Sequence, residues 1–223
     1  MTRMRHHPRE MADDDAQGLR PPPTTIHEAV GGPLGMAETA LPALAFVVTY
    51  TATGSDLDTS AVVAVAIALV LTIARLARRA SPRHALSGLF GVAFAAFIAT
   101  RSGKAENFFL PGLLLNAAMV TGLVISIVVR WPLIGLIVQN LDGEGTGWRQ
   151  DPVRAAAFRR ATWMWAALFS ARLVVQLPLY LAGAVVALGV ARTAMGLPLF
   201  ALGLWISWLL VRGVRAPRAA AQA

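Results

Sequence analysis

The sequence contains no cysteine among its 223 residues. Disulfide bonds, thiolate catalysis and cysteine-ligated metal sites are therefore excluded. Charge is also scarce, because only 14% of the residues are charged, against about a quarter in ordinary soluble domains. No HExxH or GxSxG motif and no paired metal-ligand spacing occurs. From these absences we expect a protein that is not an enzyme and that uses no metal or cofactor.

Apolar residues, by contrast, make up 56% of the chain, and its mean hydropathy is +0.58. They fall in blocks of roughly 16 to 22 residues, about the length that a helix needs to cross the hydrocarbon core of a bilayer. No short apolar leader with a small-residue cleavage site precedes the first block. The predicted fold class is all-α: a polytopic transmembrane helical bundle of about six spans with a disordered N-terminal tail.

The boundaries of the predicted segments follow from the ends of the apolar blocks and from the turn residues between them. The spans are predicted at 36–54, 59–76, 84–100, 108–129, 171–191 and 197–211, with a disordered cytoplasmic tail at 1–35, a cytoplasmic interfacial segment at 131–169 and a short basic tail at 213–223. The region around Pro178 leaves an alternative open. Dividing it there gives seven spans and exports the arginine-rich C-terminus, which the positive-inside rule disfavours.

Basic residues support the six-span arrangement. This arrangement places 17 of the 20 lysines and arginines on one side and leaves only Arg101, Lys104 and Arg192 on the other. Such segregation predicts a cytoplasmic (inner) membrane protein with both termini in the cytoplasm. Because the arginines cluster at the ends of apolar blocks, we expect contacts with anionic lipid headgroups on the cytoplasmic face and no nucleic-acid binding.

A few polar residues fall inside the predicted spans, where each is costly and is therefore a candidate for function. Glu38 stands near the start of span 1, where a carboxylate is also favoured by the helix dipole. Arg172 and Gln176 share one face of span 5, although this arginine could extend to the inner headgroups. Asn116 lies about two turns into span 4 and could bond to a neighbouring helix or contact a solute. Candidates at the outer turns are Arg101, Glu106 and Arg192.

Three segments resemble the bacterial intracellular septation protein A family: LPALAFVVTYTATG, ENFFLPGLLLN and WPLI, all between Leu41 and Val138. The matching positions are Glu106, Pro111, Asn116, Ser126 and Pro132-Leu133-Ile134. The stretch from Gly31 to Val211 looks closer still to an actinobacterial membrane family, domain-of-unknown-function family 3159. These resemblances imply a cytoplasmic-membrane location and a role in envelope maintenance or division through other membrane proteins.

Two functional hypotheses follow. The first is a non-enzymatic role in cell-envelope organisation or division, exercised through contacts with other membrane proteins. It predicts a tightly packed interior without a cavity. The second is a transporter or channel for a small solute or ion, which predicts that Asn116, Arg172 and Gln176 converge on one cavity. An arginine beside such a path favours an anionic solute.

Overall fold

A computed structural model describes the backbone of residues 32–77, 82–142 and 146–213, and the side chains in these ranges except at 32–39, 82–85, 140–142, 146 and 197. Within the described residues all regular secondary structure is helical, which confirms the predicted all-α class. The α-helices are α1 (Gly32–Ala52), α2 (Leu57–Ala77), α3 (Pro82–Ser102), α4 (Leu110–Val128), α5 (Leu133–Asp142), α6 (Pro152–Leu181), α7 (Val185–Ala194) and α8 (Leu197–Arg212). Two 3-10 helices, Ala105–Phe109 and Thr146–Arg149, precede α4 and α6.

The chain divides into two units, Met1–Glu38 and Thr39–Ala223. The first contributes only the opening residues of α1 to the described structure, and every contact discussed below lies within the second. The predicted tails at 1–35 and 213–223 fall outside the described residues, apart from 32–35 and 213.

Four helical stretches are long and apolar enough to cross a membrane. They are Leu57–Ala77, Ala105–Val128, Pro152–Leu181 and Val185–Arg212, the last of which joins α7 and α8, and shorter apolar stretches lie at Ala40–Ala52 and Leu86–Ser102. Large apolar side chains face outward on these helices, among them Phe90 at 72% and Val174 at 72% exposure. A surface of this kind is suited to lipid tails and not to water.

The sharp turn between α1 and α2 depends on two left-handed residues and one helix cap. Gly54 and Ser55 adopt φ angles of 68° and 79°. Asp56 then accepts hydrogen bonds from the Thr59 amide at 3.2 Å and the Thr59 hydroxyl at 2.6 Å. These bonds stabilise the carboxylate and lower the pKa of Asp56 below its usual value. The turn between α1 and α2 therefore leads into a capped helix start.

The region from 131 to 191 differs from the prediction. It contains no single helix at 171–191 preceded by a long interfacial segment, because α6 runs unbroken for 30 residues from Pro152 to Leu181. The Asp151 carboxylate caps its first turn by accepting from the Val153 amide at 2.9 Å, and Pro152 occupies a position where a missing N–H costs nothing. The helix continues through Pro178 and ends at a turn in which Gly183 has a φ of 64°. Neither the predicted boundaries of span 5 nor a division at Pro178 agrees with this arrangement.

After this turn the chain returns along α6. Val185 packs in one cluster with Leu179 and Tyr180, close to the turn. Further on, Phe200 packs against Trp165, and Val211 packs in a cluster with Phe158. Residue numbers rise along α7 and α8 while they fall along α6, so the two helices together run antiparallel to α6. Arg172 and Arg192, which the prediction set at opposite ends of one span, are thereby brought to the same level.

Aromatic residues fill the core near this hairpin. Phe46 of α1 stacks on Phe108 at a centroid distance of 4.1 Å, and Phe109 packs edge-on against Phe108 at 5.5 Å. Leu188 of α7 is fully buried in the same cluster. Asn107 ties the 3-10 helix to its neighbours by donating to the Ser102 hydroxyl at 2.8 Å and accepting from the Tyr180 hydroxyl at 2.5 Å. Phe108 of this cluster also lines the larger of the two cavities described next.

Candidate anion-binding cavity

Two adjoining cavities lie between the helices. The larger has a volume of about 480 Å³ and is bordered by residues of α1, α3, α4, α6, α7 and α8. The smaller has a volume of about 290 Å³ and lies between α4, α6, α7 and α8. Both are lined by Gly112, Leu115, Arg172, Arg192 and Phe200. Their volumes are near the lower end of the range of roughly 300–1,000 Å³ that is typical of small-molecule sites.

Four polar side chains from three helices line the smaller cavity: Asn116 from α4, Arg172 and Gln176 from α6, and Arg192 from α7. Arg172 and Gln176 are one turn apart on α6 and so project from the same face. Asn116 is 8% exposed and Gln176 only 2% exposed. The structure therefore brings together three of the four polar residues that the sequence places inside predicted spans, and it adds Arg192.

Two hydrogen-bond donors beside the cavity have no partner. Arg172 Nε and Gln176 Nε2 are both buried and form no hydrogen bond. A buried donor without an acceptor costs about 1–3 kcal/mol, and more when the group is charged. No described aspartate or glutamate lines either cavity. Among the described residues, the lining thus has positive charge and unpaired donors with no acidic side chain to balance them.

Arg192 is held by an aromatic ring and by a glycine. Its Cζ lies 5.8 Å from the centroid of the Phe109 ring, a cation–π contact. Gly112 lies directly beneath the guanidinium group, because a methyl group at that position would come within 2.7 Å of Cζ and 2.8 Å of Nη2. The guanidinium groups of Arg192 and Arg172 repel each other. An anion between them would remove this repulsion.

A break between two helices also borders the larger cavity. The helical structure is interrupted between α7 and α8 at Met195–Gly196. Gly196, the residue before the first turn of α8, lines the larger cavity. The N-terminus of a helix carries a partial positive charge and unpaired amide groups. In membrane transporters, broken helices commonly place such termini beside anionic groups of the solute. Here the break lies next to two arginines.

A family model described as "Protein of unknown function (DUF3159)" matches residues 30–218. The chain belongs to the DUF3159 family. Every residue that lines the two cavities falls inside the matched range. No curated protein and no solved structure matches the chain. Membership of the DUF3159 family therefore agrees with one of the two resemblances seen in the sequence and assigns no activity.

Of the other candidates of this DUF3159 protein, Arg101 and Glu106 line neither cavity. Arg101 is exposed at the end of α3, with its Cζ 5.5 Å from the centroid of the Phe97 ring. Glu106 is half-buried in the 3-10 helix before α4. Arg192 was predicted beside them at an outer turn, but α7 folds back and carries it into the cavity. The backbone of Glu38 belongs to α1, and its side chain lies outside the described part.

Two contributors to the site carried no clear signal in the sequence. Gly112 and Phe200 resemble many other residues of apolar helices, and only the packing of α4 against α7 and α8 shows what they contact. Arg192 did carry a signal, since an arginine between two apolar blocks is unusual. An arginine at this position could belong to a turn just as well as to a site. Which of the two applies depends on where the preceding helix ends.

Proposed function

We propose that this protein binds a small anion in the cavity between α4, α6, α7 and α8, and that it carries the anion across the cytoplasmic membrane without any enzymatic reaction. The observation that supports this most directly is the convergence of Arg172, Arg192 and Gln176 on one cavity with two donors unpaired. Unbalanced charge inside an apolar bundle costs several kcal/mol. A bound anion would offset that cost.

The six-span topology remains part of this proposal, with changed boundaries. The last two crossings become Pro152–Leu181 and Val185–Arg212, and the helices α1 to α4 supply the others. Both termini stay in the cytoplasm. Of the three basic residues that the earlier boundaries placed outside, only Arg101 and Lys104 then remain at an outer turn. Arg172 and Arg192 belong to neither surface, and these two line the cavity.

The proposal can be tested first as binding. The full-length protein in detergent would be unfolded thermally in sodium salts of chloride, nitrate, sulfate or acetate at constant ionic strength, with gluconate as the reference. We expect one or more of these small anions to raise the unfolding midpoint, as a ligand at about 100 times its Kd stabilises a protein by about 2.7 kcal/mol. Flux of the same anion into liposomes would then establish transport.

Variants test whether the cavity is responsible for the stabilisation by the anion. Arg172→Gln and Arg192→Gln should abolish protection by the anion while leaving the midpoint in gluconate equal or higher, because each removes a positive charge that no carboxylate of the described cavity lining balances. Arg101→Gln is the matched control, since Arg101 is an exposed arginine outside the cavity. Equal protection of the wild type and both cavity variants would rule out this site, and binding without flux would rule out transport alone.

A role in envelope organisation or division is the second candidate, and it rests on the resemblance to septation proteins. The segment ENFFLPGLLLN, which carries much of that resemblance, supplies Phe108, Pro111, Gly112 and Asn116 to the cavities. A shared role would then be exercised through the cavity and not only through partner proteins. An actinobacterial origin likewise stays a prediction. If no anion has any effect, capture of membrane partners becomes the leading experiment.

A further inference from the structure

A second, separate group of arginines surrounds a cleft near the start of α6. The cleft has a volume of about 370 Å³ and is lined by Arg130, Arg149 and Arg159 together with Pro132, Trp148 and Ala155. The three arginines come from the end of α4, the second 3-10 helix and α6. All three are exposed. No described carboxylate is among the lining residues, and the nearby Asp151 is engaged in capping α6.

The cleft has a rigid floor. Trp148 is only 3% exposed, donates a hydrogen bond to Gln139 Oε1 at 2.9 Å and packs edge-on against Phe158 at a centroid distance of 5.2 Å. Arg130 adopts a left-handed conformation with φ 61°, which is unusual for a residue with a side chain. Its amide donates to the Ile127 carbonyl at 3.0 Å. This arginine is thus set at one side of the cleft by the backbone turn that ends α4.

Aromatic and apolar surface continues outward from the arginines. The Arg149 guanidinium stacks on the Trp131 ring, with its Cζ 4.1 Å from the ring centroid. Val128, which also lines the cleft, is 74% exposed, and Trp131 is 37% exposed. Tryptophan is characteristic of the depth at which lipid headgroups meet the hydrocarbon. The cleft therefore has cationic groups beside an apolar surface at the ends of two membrane-length helices.

We propose that this cleft binds the phosphate group of an anionic lipid, with Arg130, Arg149 and Arg159 around the phosphate and the acyl chains against the exposed Val128 and Trp131. Guanidinium groups match phosphate oxygens through paired hydrogen bonds. Basic pockets between membrane helices are known sites for anionic headgroups. A free phosphate ion has the same chemistry, but it would leave the apolar surface uncovered, which favours the lipid. The inference does not depend on the proposed transport of an anion.

The test measures lipid retention. The full-length protein in detergent would be mixed with equal amounts of phosphatidylglycerol and phosphatidylcholine, and the lipids that remain bound would be counted by native mass spectrometry. We expect phosphatidylglycerol to be retained preferentially, and the triple variant R130Q/R149Q/R159Q to retain it about tenfold less. Elution from a sizing column in detergent would show that the variant is folded. Partial recovery in R130K/R149K/R159K would separate charge from paired hydrogen bonding.

One variant serves as the matched control. Arg212 is also exposed and stacks on a tryptophan, Trp208, with its Cζ 4.8 Å from the ring centroid, but it does not line the cleft. R212Q should retain phosphatidylglycerol like the wild type. An equal loss in R212Q, or equal retention in the triple variant, would overturn the site. Displacement of the lipid by millimolar inorganic phosphate would overturn the lipid as occupant and assign the cleft to soluble phosphate.

Discussion

Along α6, the half that begins at Pro152 and the half that ends at Leu181 bury polar side chains in different ways. In the first half, the Thr162 hydroxyl donates to the Phe158 carbonyl at 2.8 Å and accepts from the Ile134 amide at 3.4 Å. Trp165 Nε1 donates to the Ser207 hydroxyl at 2.8 Å. These donors have partners, and apolar side chains fill the space around them.

In the second half, Arg172 Nε and Gln176 Nε2 are buried without partners beside a cavity. Hydrogen-bonded groups among apolar side chains stabilise and orient helices, whereas unpaired donors beside a cavity are available for a ligand. We therefore expect Thr162 and Trp165 to stabilise the fold, and Arg172 and Gln176 to serve the proposed binding of an anion.

Phe158→Ala is expected to have the largest effect on stability, and it tests the difference between the two halves of α6. Phe158 is 1% exposed and packs against Trp148, so its truncation should lower the free energy of unfolding by about 3–5 kcal/mol. Unfolding by denaturant, with and without the protecting anion, measures this. The increase in the free energy of unfolding that the anion causes should be the same as in the wild type. If that increase disappears while stability falls only slightly, Phe158 also serves anion binding.

Gly112→Ala should have the next largest effect, on binding. The new methyl group would meet the end of the Arg192 side chain, which can move aside, so the variant should fold and bind the anion about tenfold more weakly. Gly122→Ala on the same helix is the matched control, because a methyl group there meets no atom within 4 Å. Anion titration of both variants tests this. Equal affinities would show that the position of Arg192 is not important for binding.

Removing one polar group from each half should change stability in opposite directions. Thr162→Val leaves the Ile134 amide without its acceptor and should destabilise the protein by about 1 kcal/mol. Gln176→Leu removes an amide donor that has no partner and should stabilise the anion-free protein by about 1 kcal/mol while weakening anion binding. Denaturant unfolding in gluconate measures both. A destabilised Gln176→Leu variant would show that the amide is already satisfied.

The smallest effect on stability is expected when the pH is lowered. The pKa of Asp56 is lowered in the folded chain by its bonds to Thr59, so the stability it contributes is present above its unfolded pKa of about 3.8 and is lost as the pH falls through the folded value. Amide hydrogen exchange at Thr59 should therefore accelerate below about pH 3.8 relative to exchange within α6. Asp56→Asn should remove that dependence. Binding of chloride should not follow it, because the described cavity lining contains no carboxylate.

Much of the fold could be predicted from the sequence, for physical reasons that are local. Blocks of apolar residues indicate membrane-length helices, and the all-α class follows from them. The error in span 5 came from the arginines at 154, 159 and 160, which favoured a surface segment. In the structure, Phe158 and Trp165 of the same helix are buried against its neighbours. Tertiary contacts outweighed the charge pattern.

By itself, the sequence determined that the chain is all-α, that several of its helices are long and apolar enough to cross a membrane, and that Asn116, Arg172 and Gln176 are costly to bury. Which of these residues share a site was decided only by the tertiary structure. Arg192 is 20 positions from Arg172, and it reaches the same cavity because the chain turns at Gly183 and runs back. A single turn between two helices decides whether two arginines lie at opposite ends of a span or face each other, and hydropathy does not record where that turn occurs.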